Sequence, residues 1–108
     1  MSTVARDQYQ AALEDLRTDV VAMGELVADR LGAARVALAE RDAALAEAVV
    51  EGDAAINDRY LDLEGDCVDL LALQQPVATD LRVVAASFKV ITDFERVGDL
   101  AVNLGQYA

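Results

Sequence analysis

Apolar residues fall at Tyr9, Leu13, Leu16, Val20, Met23, Val27, Leu31, Ala34 and Leu38, and every step between them is three or four residues. A helix turns once in about 3.6 residues, so this spacing draws one apolar stripe and predicts an amphipathic helix over residues 3–40. Gly24 and Gly32 interrupt it, each costing about 1 kcal/mol against alanine, so each marks a close helix approach or a kink. Asp42 suits an N-cap, with Glu40 and Arg41 forming the corner before it. A second stripe, Leu45, Val49, Ile56, Tyr60, Leu63, Cys67 and Leu70, predicts helix two over residues 42–74, with a polar lapse at Glu51-Gly52-Asp53. Pro76 resists the middle of a helix but fits its first turn, which places helix three over residues 76–107. Connections this short force antiparallel neighbours. The expected fold is all-α: one domain over residues 1–108, an up-down-up bundle of three helices.

The third stripe contains an anomaly. Leu81, Val84, Phe88 and Ile91 lead into Glu95, where the pattern asks for a core residue, and Asp99 and Asn103 follow at steps of four. A buried charge costs several kcal/mol unless it is paired or bound to a metal. In an antiparallel hairpin turning at Pro76, residues equidistant from the turn meet at one level. Glu95 and Asn57 are each 19 positions from Pro76, and Asp99 and Asp53 are each 23. The polar lapse of helix two is therefore expected opposite the polar pair of helix three. Asp53, Asn57, Glu95 and Asp99 offer oxygen donors suited to a hard cation such as magnesium, calcium, manganese or ferric iron. The competing reading is a solvated face neutralised by Arg59 or Arg96, and the pattern alone leaves both open.

Composition narrows the function classes. A net charge of -11 repels nucleic-acid phosphates and anionic membranes alike. Eight arginines against the single Lys89, with a pI near 4.1, resemble the acidic proteins of salt-loving microbes. The chain has no histidine, which disfavours His-based triads, zinc catalysis and a Glu-x-x-His di-iron site. Cys67 lies on an apolar stripe and reads as a small buried hydrophobe. Asp58, Asp62, Glu64, Asp66 and Asp69 read as a solvated acidic ladder. No catalytic or cofactor-binding residues are expected, so the chain reads as non-enzymatic. The N-terminus lacks the apolar core of a signal peptide and no run suits a membrane span, so a cytoplasmic protein without membrane insertion is expected.

Two segments carry a family resemblance: Gln75-Pro76-Val77-Ala78-Thr79-Asp80-Leu81-Arg82 and Asp93-Phe94-Glu95-Arg96-Val97-Gly98-Asp99. Together with Asp53-Ala54-Ala55-Ile56-Asn57 and the region of Met23, they closely resemble the PhoU family of phosphate-uptake regulators. The resemblance implies repeated three-helix bundles, usually two in tandem, and an acidic Glu/Asp-x-x-x-Asp hallmark that binds iron or other metals in some members. Glu95 and Asp99 match that hallmark; Asp53 matches the first place of a second pair, with Asn57 where an acid is ideal. It further implies a regulator of phosphate uptake and phosphate-starvation signalling. Its partners would be the ATPase subunit of the phosphate ABC transporter and a downstream signalling protein, in bacteria a membrane sensor kinase. A single bundle of this kind would be a fragment, a detached domain or a homodimer rebuilding a six-helix unit. The rival readings are a metal-buffering bundle and a structural dimerisation domain of a larger regulator.

Overall fold

The computed structural model describes the backbone of residues 3–72 and 78–107 and the side chains of residues 7–71 and 81–106. Four helical segments follow in order: α1 (Thr3–Glu40), α2 (Ala43–Glu51), α3 (Asp53–Ala72) and α4 (Ala78–Tyr107). Segments α2 and α3 run end to end as one leg, so the molecule is a three-helix bundle 58 Å long and 17 Å across. The length is that of α1 alone, since 38 residues at about 1.5 Å each span its whole axis. The turn expected at Gln74–Val77 lies outside the described residues.

The corner after α1 is closed by backbone geometry. Arg41 adopts a left-handed φ of 53°, and the Asp42 N–H donates to the Ala37 carbonyl at 2.9 Å. That bond satisfies a carbonyl that the helix end would otherwise leave open. Asp42 then opens the next helix, its Oδ1 accepting from the Leu45 N–H at 3.0 Å.

The second leg is one stripe in sequence but two helices in space. Gly52 keeps right-handed dihedrals with ψ near -10°, and its carbonyl accepts from the Ala55 N–H at 3.2 Å, a tightened three-residue turn. Arg30 of α1 fills the outside of this break: its Nη1 donates to the Ala48 carbonyl at 3.3 Å. Its guanidinium occupies the space a Cβ on residue 52 would need. The continuous helix expected over 42–74 breaks here because glycine has low helix propensity and the apolar stripe lapses.

Two cores fill the bundle. The larger joins Leu13, Leu16 and Met23 of α1, Ile56, Leu63 and Cys67 of α3, and Val84 and Ile91 of α4. A thinner one, at the α2 end, is built from Ala34, Val49 and Ala101 with Leu31 and Leu104. Close approach in the middle depends on Gly24, where an added Cβ would lie 2.8 Å from the Phe94 ring, whereas at Gly32 nothing stands within 4 Å. Two residues of the expected stripes are instead exposed: Leu38, at the end of α1, and Leu81, in the first turns of α4.

Candidate acidic seam between the second and third legs

The seam between α3 and α4 sits within two residues of the register that equidistance from Pro76 implies, since Ile56 lies 20 positions before it and Gly98 lies 22 beyond. Gly98 packs on Ile56, its ideal Cβ position 3.1 Å from Ile56 Cγ2, which fixes the level of the two helices. Asp53, one turn before Ile56 and the first residue of α3, is half-buried, and Asp99, next to Gly98 on α4, is exposed. Burial pushes the Asp53 carboxyl above the usual 3.8, and the negative charge of Asp99 pushes it further. Asp53 and Asp99 thus face each other closely enough to repel.

The other two candidates lie alongside. Glu95 is half-buried and Asn57 is exposed. Glu95 adds negative potential at Tyr60, whose phenol is raised chiefly by its hydrogen bond to the Glu64 carboxylate and lowered in part by one with Thr92. Thr92 in turn donates from Oγ1 to the Phe88 carbonyl at 2.9 Å. Tyr60 is a member of this seam that stripe-reading assigns to the core, because its ring follows the apolar spacing while its hydroxyl reaches the polar edge. Arg96 pairs with Asp93 at 3.9 Å, both side chains well exposed, so its cation goes to a neighbour on its own helix. Among the described residues, no three His, Cys, Asp or Glu side chains come together as a set able to hold a metal ion. The geometry is an open carboxylate pair, Asp53 with Asp99, flanked by Glu95 and Asn57.

A second acidic seam runs between α1 and α3. Asp15 and Asp19 line a groove with Asp66 and Asp69 over Ala12, Leu16 and Leu70. Burial raises the Asp66 carboxyl first, and the charges of Asp19, Asp69 and Asp62 add to it. The acidic ladder of helix two is a solvated face, with Asp58, Asp62, Asp66 and Asp69 exposed, and Asp66 also meets like charge from α1. Stripe-reading misses this because Asp15 and Asp19 look like ordinary polar positions of their own helix.

Among the described residues, no helix is long and apolar enough to cross a membrane. A solved relative agrees with the architecture. The PhoU domain family matches residues 20–108. The phosphate-specific transport system accessory protein PhoU of Edwardsiella tarda is 46% identical over 94 residues, covering 87% of this chain and 39% of that protein. The protein of the same name from Escherichia coli K12 is 40% identical over the same coverage. The crystal structure of PhoU from Pseudomonas aeruginosa superposes with a TM-score of 0.88 at 39% identity, covering 91% of this chain and 47% of that one. The chain thus spans less than half the length of these relatives. With the family matched over most of its residues and the fold matched to a solved member, the chain belongs to the PhoU domain family.

Proposed function

We propose that the chain acts in phosphate-specific transport as a non-enzymatic regulatory module that docks on protein partners. The observation that carries this reading is its 46% identity to a protein named as an accessory of that system. The form of the molecule is suited to it: a rod of three helices presents long, ordered faces without any enclosed substrate cavity being required. Its partners in this reading are the ATPase subunit of the phosphate ABC transporter and a downstream signalling protein. The acidic surface disfavours free phosphate as a direct ligand. The test is binding of the purified chain to the transporter's ATPase subunit by surface plasmon resonance. Saturable binding is expected, and no binding by a chain shown to be helical would overturn the reading.

A second reading is favoured by the facing of Asp53 and Asp99. A hard cation between them would relieve the repulsion that raises Asp53, with Glu95 and Asn57 as further oxygen donors. The open geometry fits one hydrated ion held by two carboxylates and does not fit a closed multi-metal cage. Native mass spectrometry with added magnesium or manganese should show a bound ion that Asp53→Asn/Asp99→Asn removes. Equal ion uptake by the variant would reject this site.

A further inference from the structure

The outer seam between the parallel helices α1 and α4 is ruled at heptad intervals. The contact of Gly24 with the Phe94 ring sets the two helices in register. On the side of α1 that carries Gly24, Val21, Ala28 and Arg35 recur every seven residues; on α4, beside Phe94, Val90, Val97 and Leu104 do the same. Val21 stands three positions before Gly24 and Val90 four before Phe94, so the two series meet level by level: Val21 with Val90, Ala28 with Val97, Arg35 with Leu104. Val21 is 60% exposed and Val90 36%. Ala28 is exposed, and Val97 and Leu104 are half-buried. Successive levels lie about 10.5 Å apart, the interval at which another helix repeats one heptad position.

Charge separates this seam from the other two, which carboxylates line. Arg17, one turn before Val21, and Arg35 stand on α1, and Lys89 stands next to Val90 on α4; all three are exposed. The acids nearest the seam are Glu25 and Asp93, at its edges, and Asp93 is already paired with Arg96 at 3.9 Å. The seam is therefore locally cationic on a chain whose net charge is -11. An acidic segment is repelled by the α1–α3 and α3–α4 seams and attracted to this one, whereas a basic segment is drawn to those two.

We propose that the α1–α4 seam is a docking site for a helix of a protein partner, one that carries aliphatic residues at heptad spacing between acidic flanks. Laid along the seam, such a helix sets its aliphatic side chains between successive levels, as knobs in the holes that residues of α1 and α4 frame. Ala28, small and exposed at the middle level, leaves room for the closest approach. The partner's carboxylates then fall beside Arg17, Arg35 and Lys89, outside the aliphatic strip, where charge selects the partner and its direction. The inference rests on the reading that the chain docks on protein partners, and adds the surface used and the chemistry it accepts.

The probe is a labelled synthetic helix of about three heptads with Leu at a and d and Glu at e and g, whose like charges keep it from pairing with itself. Fluorescence anisotropy should show saturable binding to the unaltered chain, against the repulsion of its net charge. Arg17→Glu/Arg35→Glu and Val21→Gln/Val90→Gln should each weaken binding roughly tenfold or more. All four side chains are exposed, so both variants should keep the parent's helicity by circular dichroism. No binding by the parent chain overturns the proposal, and so does binding that either helical variant retains. Self-association, or adsorption to phosphatidylglycerol vesicles, that these variants abolish while the peptide goes unbound would give the seam to a second copy or a lipid surface and overturn it too. A chain that binds the transporter's ATPase subunit but not the peptide sinks this site alone; one that binds the peptide but not the subunit supports the site and sinks the transporter reading.

Discussion

Phe94 and Gly24 show what one residue decides. The ring of Phe94 stands 2.8 Å from where a Gly24 Cβ would be, so the α1–α4 approach depends on that hydrogen. Gly32 lies in the same helix with open space around its Cβ position. Replacing a helical glycine by alanine lowers backbone entropy cost and should stabilise by about 0.5–1 kcal/mol where there is room. Gly32→Ala should therefore raise stability in urea unfolding. Gly24→Ala should fall below it by about 1–3 kcal/mol through overpacking against the half-buried ring. Equal gains at both sites would show that Phe94 moves aside freely. The two glycines are alike in the sequence, because a helical pattern reports spacing along one element and not what crosses from another. Gly24 is legible as a close approach or a kink; its partner is not.

At the scale of elements, the legs of the bundle are legible and one internal joint is not. The stripes from Tyr9 to Ala34 and from Ile56 to Leu70 do face the cores. The corner was readable because its chemistry is local: Asp42 caps a helix within three residues of itself. Asp42→Ala should cost about 1 kcal/mol, seen as a fall in Tm of about 5 °C, with Asp42→Ser recovering most of that loss. An unchanged Tm for the alanine variant would mean the left-handed Arg41 corner suffices alone. The break at Gly52 was not readable because the group that fills it, Arg30, comes from another helix. Within its own stretch, Glu51-Gly52-Asp53 looks like a weak patch in a continuous helix.

Across the whole molecule, acidic groups crowd both seams of α3. Equidistance from Pro76 comes within two residues of the Ile56–Gly98 contact, since a hairpin register is a counting problem. The Asp66 groove needed the placement of α1, which counting from one turn does not supply. Asp53 and Asp66 are both raised above their ordinary 3.8 by burial and like charge. At neutral pH each is ionised in folded and unfolded chains, and the folded state bears the whole penalty. As pH falls through the raised folded values and then below the unfolded ones, that penalty disappears. Thermal melts at pH values lowered toward the ordinary carboxyl value of 3.8 should thus show Tm rising. Asp66→Asn should raise Tm at neutral pH and flatten the rise. A Tm that falls steadily over that range would contradict this balance of charges.

The corner at Arg41 and Asp42 also sets a phase. Because one residue both ends α1 and begins α2, the joint has no spare length. An inserted residue there would turn the start of the second leg by about 100°. That rotation would swing Ala46 and Val49 out of the thin core. Inheritance of this fold should then tolerate substitutions at the corner far better than changes in its length.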